Sequence, residues 1–354
     1  MPLIEQHQPA VFERPATAPL SAIIVTWNGL RFLPACLDAL APQLPAGSEI
    51  VLVDNGSTDG TADWARACYP DVRLVALPRN TGFAGGVAAG LRAACGALLL
   101  LVNNDAFLEP GTVAALTAAL DRPEIGAAGG VLTFDHRPDL VASAGIRVQR
   151  DGLALDRWPG RRLADLPPAP CEIFGPSGGL ALFRRALLED IGPPEPSFFA
   201  YLEDADLAWR ARLRGWRSVL APGARARHVY SATGEQGSPF KQRLLARNRL
   251  RLIVRCLPGP LLGRCLPGIL LYDVQAAAYG LATRQAAMVA GRLQALHELP
   301  ALLHQRRAIQ ARRTAPIAAL ARWLEPALPP WTALREQRRL DALLRERPAP
   351  GGRG

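Results

Sequence analysis

The sequence predicts an α/β fold, a mostly parallel sheet covered by helices on both faces, followed by a basic helical extension. Three observations carry that expectation. Apolar, β-branched runs alternate with helix-periodic segments between residues 21 and 105, the pattern of βα units around a doubly covered sheet. Polar residues gather where those runs end, and ligands of open α/β sheets bind at the carboxyl edge of the strands. Charge divides the chain: residues 1–240 hold 21 basic and 25 acidic side chains, residues 241–354 hold 20 and 6.

Each element follows in order. Residues 1–19 are polar and proline-containing, and are expected to form a flexible arm. SAIIVTWNG (21–29) reads as a buried strand ending in polar residues. Leu30, Leu33, Leu37 and Leu40 then recur at helical spacing. EIVLVDNGSTDGT (49–61) is a second strand running into a polar turn, TADWARACYP a helix stopped by Pro70, and VRLVAL (72–77) a third strand. GFAGGVAAGLRAA enters a further helix, and ALLLLVNND (97–105) is a strand apolar on both faces. Residues 151–171 are rich in Pro, Arg and Asp and read as a surface loop. Residues 175–192 suggest a turn, a strand and a helix, and Leu207, Arg210 and Leu213 lie on the next helix. A boundary is expected near 235–240, at GEQGSP, closing a catalytic domain over 20–240. A basic, leucine-rich, amphipathic helical region is expected over 241–345 and a disordered tail over 346–354.

With 49% apolar and 20% charged residues, 354 residues can bury a core, which excludes disorder throughout. No run of 18 uncharged apolar residues and no basic, apolar leader occurs, so neither a clear single span nor a secretory signal is expected. Six cysteines without CxxC spacing read as free thiols rather than disulfides or a zinc site. The phosphate loop GxxxxGK[ST] and the dinucleotide loop GxGxxG are both absent, which argues against P-loop NTPases and dinucleotide dehydrogenases.

The strand ends supply the candidates for chemistry. Thr26, Asn28, Asp54 and Asn55 close the first two strands; an aspartate there accepts hydrogen bonds from a base or ribose, or serves the turn. Asp59, Thr58 or Thr61 suits a helix cap. Asp105 ends the longest apolar strand, where a carboxylate has no core role. Magnesium and manganese are held by one or two carboxylates plus substrate phosphates. Asn103 and Asn104 offer amide oxygens or ribose contacts, or alternatively an Asx turn. Glu203, Asp204 and Asp206 form the densest acidic cluster. Either they complement a helix N-terminus, or one of them takes a proton from an acceptor hydroxyl. His228, after APGARAR, is either structural or a site residue.

The ordered set SAIIVTWNG, VDNGSTDGT, NTGFAGG, NND, GPSGGLALFRR, FFAYLEDADLAWR and RARHVY resembles the family 2 inverting glycosyltransferases. It is most similar to the rhamnosyltransferase-like branch that builds bacterial surface polysaccharides. The resemblance spans about residues 20–255. It implies a GT-A fold, a nucleotide-diphosphate sugar donor, dTDP-rhamnose by the branch it resembles, and a divalent cation, Mg²⁺ or Mn²⁺. By motif, Thr26, Asn28, Asp54, Asn80, Gly82, Asn103 and Asn104 would face the nucleotide sugar. Asp105 stands where the last acid of the DxD motif binds metal, and His228 where a histidine completes that site. Asp204 matches the base, with Glu203 supporting it or orienting the acceptor, and Gly178 and Gly179 fall on the acceptor side. The implied reaction inverts configuration through an oxocarbenium-like state and delivers the sugar to a hydroxyl of a glycan or lipid-linked acceptor. Three departures stand out. Asn103 replaces the first DxD acid; Val87, Ala88 and Ala89 stand where relatives often carry Asn; and IGPPEPSFF replaces GGFDE before the FF pair. The missing acid motivates an alternative reading, a catalytically weakened nucleotide-sugar or carbohydrate-binding protein.

Arg243, Arg247, Arg251 and Arg255 recur every four residues, so they share one helix face. That face reads either as solvated or as meeting lipid-linked phosphate or an anionic membrane, with Arg247 and Arg251 as its candidates. Residues 257–283 are apolar but interrupted by Pro, Gly, Arg264 and Asp273, which favours an interfacial element over a span. The expected location is the cytoplasmic face of the cell membrane, peripherally held. Nucleic acid is a poor partner for this region, whose aromatics are mainly Tyr272, Tyr279, Trp323 and Trp331.

Overall fold

In the computed structural model, which describes residues 11–229 and 238–328 with 335, 342 and 343, the first third alternates as the pattern demands. The order is β1 (Ala18–Thr26), α1 (Leu33–Leu40), β2 (Glu49–Asp54), α2 (Thr61–Cys68), β3 (Arg73–Ala76), α3 (Gly82–Ala93) and β4 (Gly96–Asn103). β1 pairs in parallel with β2 and β4, and β2 with β3. Successive strand residues point to opposite faces. Ala22 and Ile24 of β1 therefore join one apolar cluster, and Ile23 and Val25 join another across the sheet.

The second part widens the sheet. It runs β5 (Ala106–Leu108), α4 (Thr112–Ala118), β6 (Ile125–Phe134), β7 (Arg137–Ser143), β8 (Ile146–Gln149), β9 (Ala154–Asp156), β10 (Cys171–Ile173), β11 (Leu180–Arg184), α5 (Arg185–Ile191), α6 (Glu203–Leu213) and β12 (Arg217–His228). The main path is β10-β12-β6-β11-β4-β1-β2-β3, with β5 on β12 and β7 on β6. β11 enters antiparallel between β4 and β6, so the sheet is mixed on that side. The surface loop expected over 151–171 contains β9, which pairs with β8.

The extension comprises α7 (Pro239–Cys256), α8 (Gly259–Ala282), α9 (Ala286–His297), α10 (Leu299–Ala311), α11 (Ile317–Ala321) and β13 (Leu324–Glu325). It shares a core with the preceding domain: Leu252, Ile253, Cys256 and Leu261 pack with Phe174, Ala205, Trp209 and Leu213. The region is not wholly helical, because β13 adds to β8 in a small second sheet. The boundary near 235–240 falls mostly on residues 230–237, which lie outside the described residues, as does the tail over 346–354.

Two further expectations are corrected. The arm over 1–19 is docked from Phe12 onward: that ring is buried under the Arg185 guanidinium, 3.7 Å from its centroid. Glu13 N–H also donates to the Arg92 carbonyl at 3.1 Å. Residues 1–10 are outside the description. The arginine stripe of α7 is internal beyond Arg243, which is exposed. Arg247, Arg251 and Arg255 are buried, and Arg255 pairs with Glu195 and Asp206, each at 3.1 Å. The four-residue period did identify one face of the helix; that face meets protein carbonyls and carboxylates, not lipid phosphate.

Candidate active site

Parallel register aligns the strand ends. Thr26 lies opposite Asp54, and Val25 opposite Asn103, so the turns after β1, β2 and β4 share one edge. Side chains stitch these turns together. Asp54 Oδ1 accepts from Ser57 N–H at 3.0 Å, and Asn28 Oδ1 from Thr58 N–H at 2.8 Å. Asn104 Nδ2 donates to Thr26 Oγ1 at 3.0 Å. Asn80 Oδ1 accepts from Gly82 N–H at 2.8 Å and from Asn55 Nδ2 at 3.1 Å. Asp59 is not the helix cap itself; it accepts from Leu30 N–H at 3.0 Å and from the Thr61 hydroxyl at 2.5 Å, tying the first turn to the second. Thr26, Asn28, Asp54, Asn80, Gly82 and Asn104 therefore lie together at this edge.

β5 returns antiparallel to β12 with His228 opposite Ala106, which sets the histidine beside the end of β4. His228 Nε2 lies 3.1 Å from Asp105 Oδ1 and 3.3 Å from Asn103 Nδ2. Asn103 Oδ1 is buried and has no hydrogen-bond partner among the described residues. Carboxylate, imidazole and an unsatisfied amide oxygen form a donor set that fits a divalent cation. No group of three or more His, Cys, Asp or Glu able to hold a metal occurs among the described residues, so donor phosphates would have to supply further ligands.

The acidic side of the cleft sits at the start of α6. Asp204 Oδ2 accepts from Gly178 N–H at 3.1 Å, and Asp204 Oδ1 from Ala205 N–H at 2.8 Å. The neighbouring Gly179 carbonyl accepts from Asn103 N–H at 3.1 Å. The Gly178–Gly179 turn thus joins the end of β4 to Asp204. Burial, then the charge of Asp156, pushes the Asp204 carboxyl up to about 6, against the Gly178 and Ala205 hydrogen bonds. Burial, then the adjacent Asp204 charge, pushes Glu203 up to about 8, so near neutrality the pair holds one proton. Asp206 separates from this pair. It is fully buried, and burial is more than offset by Arg255 and Arg210, which hold its carboxyl below the usual range.

The sequence pattern of glycosyl transferase family 2 matches residues 21–192. The N-acetylglucosaminyl-diphospho-decaprenol L-rhamnosyltransferase of Mycobacterium tuberculosis (strain CDC 1551 / Oshkosh) is 30% identical over 232 residues, 59% of this chain and 75% of that protein. The chain belongs to glycosyl transferase family 2. An N-acetylglucosaminyltransferase of Sinorhizobium fredii (strain NBRC 101917 / NGR234) is 34% identical over 242 residues, covering 65% of this chain and 57% of that one. Among solved structures, GalNAc-T7 with UDP, GalNAc and Mn²⁺ superposes with a TM-score of 0.55 at 18% identity, over 67% of this chain and 48% of that one. The mannosyltransferase PcManGT from Pyrobaculum calidifontis, with GDP-Man and Mn²⁺, gives 0.50 at 20% identity, over 95% and 84%. At these identities the structural likeness speaks for the fold, a GT-A-like α/β architecture.

In this glycosyltransferase the matched stretch holds the sheet edge and the GPSGG turn, whereas Glu203, Asp204 and His228 lie beyond it. Three residues near the site escaped assignment from the sequence. Asn55, almost fully buried, accepts from Thr81 N–H and Oγ1, both at 2.9 Å; its place beside Asp54 in the VDNG turn was the available signal. Asp156 reaches Asp204 electrostatically from the segment read as a loop, for which local sequence holds no signal. Trp27 is 40% exposed between Thr26 and Asn28, at the edge formed by the turns after β1 and β2.

Proposed function

We propose that this glycosyltransferase carries out metal-dependent, inverting transfer from a nucleotide-diphosphate sugar to a hydroxyl of a glycan or lipid-linked acceptor. The observation that carries this reading is the turn Gly178–Gly179, which joins Asn103 beside Asp105 and His228 to the hydrogen-bonded Asp204. Asp105, His228 and the Asn103 amide oxygen would hold the cation. Held there with the donor, a divalent ion would supply positive charge to offset that developing on the diphosphate leaving group. Thr26, Asn28, Asp54, Asn80, Gly82 and Asn104 would shape the nucleotide edge. Asp204 takes the proton of the attacking hydroxyl, and Glu203, protonated, donates to the acceptor or to that base. The likeness to an L-rhamnosyltransferase acting on N-acetylglucosaminyl-diphospho-decaprenol favours dTDP-rhamnose and a polyprenyl-diphosphate acceptor.

A donor screen tests this. UDP-, dTDP- and GDP-sugars are offered with Mg²⁺, Mn²⁺ or EDTA while the melting temperature and nucleotide release are followed. One nucleotide class should stabilise the protein, by about 2–3 kcal/mol at a hundredfold excess over Kd, and EDTA should remove most of that gain. A fully EDTA-insensitive donor response would sink the metal assignment. Binding without turnover on the lipid-linked acceptor would favour the weakened binding protein.

Membrane contact is part of the same proposal, relocated from the arginine stripe. α8 is the one helix among the described residues long and apolar enough to cross a membrane. Its Asp273, however, pairs with Arg249 on α7 and Arg292 on α9, both at 2.9 Å, which ties the helix flat against the protein. Leu266, Leu270, Val274 and Leu281 are exposed along one side, with exposed Arg264 and Arg284 nearby and no exposed acid on α8. An apolar face with basic flanks suits an anionic bilayer surface. The double variant Leu270→Glu, Val274→Glu should lose co-flotation with phosphatidylglycerol-containing vesicles; equal flotation of variant and parent would exclude this face.

A further inference from the structure

The loop that delivers Asp204 to the cleft holds backbone that L residues avoid. Phe199, Tyr201 and Leu202 have φ of 65°, 69° and 68°. Such conformations are unfavourable for L residues and persist only where the surroundings over-determine them. Here the surroundings are chiefly α7. Asn248, 0% exposed, turns Nδ2 toward the carbonyls of Phe198 at 3.0 Å, Ala200 at 2.9 Å and Tyr201 at 2.8 Å. Arg247 donates to the carbonyls of Ser197 at 3.0 Å and Phe198 at 2.8 Å. Its Nε donates to Asn248 Oδ1 at 3.0 Å, which fixes which end of the amide faces the loop. Arg251 also donates to the Ser197 carbonyl and is itself held by Glu298 at 2.7 Å. The remaining carbonyl, that of Phe199, accepts from Ala84 N–H at 3.0 Å in the first turn of α3. A Cβ on Gly82 would lie 2.2 Å from that same oxygen, so the donor-side turn and the loop are in direct contact.

We propose that Asn248, with Arg247 and Arg251, is a positioning clamp. α7 sets the backbone of residues 197–202, and with it the place of the Asp204 carboxylate relative to the acceptor hydroxyl. The Phe199–Ala84 contact couples that placement to the nucleotide edge. The proposal rests on the assignment of Asp204 as base. It also gives Arg247 and Arg251 a role: they bind the carbonyls behind the base, not the phosphate of a substrate.

Asn248→Asp is nearly isosteric. It keeps an acceptor for Arg247 but turns an oxygen, not an NH₂ group, toward three carbonyls. Hydrogen exchange of peptides spanning 197–206 should accelerate about tenfold or more, because opening that segment then costs less, while exchange in β1 and β4 is unchanged. With dTDP-rhamnose and N-acetylglucosaminyl-diphospho-decaprenol as probes, kcat should fall on the order of 10²-fold with little change in donor KM. Arg247→Met, which keeps the aliphatic stem, should show the same pattern more weakly and serves if Asn248→Asp does not fold. Unchanged exchange over 197–206 in a folded variant overturns the clamp. Faster exchange with unchanged kcat overturns its positioning role, and so does failure of both variants to fold. Asp204→Asn is measured alongside: if that variant turns over normally, the base assignment has failed, independently of the clamp.

Discussion

Asp204→Asn is expected to lower kcat about 10³-fold, within the range by which a positioned base accelerates proton transfer, while donor binding persists. The amide can still accept from Gly178 N–H and so holds the turn, but it takes no proton. Only the ionised carboxylate is a base. Because burial, and then Asp156, pushes Asp204 up to about 6, kcat/KM should fall tenfold per pH unit below that value and level off between it and about 8, where Glu203 loses its proton. Glu203, pushed up to about 8, remains protonated across that limb and does not produce it. Asp204→Asn should erase the acid limb along with the rate. A variant that keeps parental turnover, or that keeps the limb, would move the base elsewhere.

Asp206→Asn, two residues along the same helix, should act on stability instead. Asp206 pairs with Arg210 at 2.8 Å and with Arg255 at 3.1 Å, and Cys256 Sγ donates to it at 3.4 Å. All four residues are buried. Removing the carboxylate leaves the buried Arg210 without an ion-pair partner among the described residues and Arg255 with Glu195 alone, which costs about 3–5 kcal/mol, or on the order of 10 °C in Tm. The pH sign follows from the lowered folded-state pKa. The stabilisation is fully present above the unfolded-state value of about 3.9 and is lost as pH falls through the lower folded value. Calorimetry of variant and parent at neutral pH measures the difference; a Tm within a degree or two of the parent would show that the network contributes nothing net. The two substitutions together assign adjacent acids of one motif to different physical tasks.

The acidic triplet shows how far local sequence reaches. Glu203, Asp204 and Asp206 all suit the first turn of α6, where carboxylates meet the positive end of the helix. Nothing in their spacing distinguishes the acid beside Gly178 from the acid between two arginines. Arg255 lies 49 residues away and Gly178 26 residues away, so the distinction belongs to contacts that close only in the folded chain. His228 is similar. Its neighbours in sequence say little, and its approach to Asp105 is made by the antiparallel pairing of β12 with β5.

What the sequence determined by itself was the parallel βα core and its ligand edge. Strand alternation, helix period and strand-terminal polar residues are local properties, and the register sets Thr26 opposite Asp54 and Asn103 opposite Val25 once those strands pair. The tertiary structure alone decided what each helix face meets. The arginine period of α7 marks a face, and only the packing of α7 on residues 195–206 shows that the face holds carbonyls and carboxylates near Asp204. α8 leaves an apolar face outward. Periodicity is a property of one helix, whereas burial is a property of two surfaces, and the second surface lies far away in the chain.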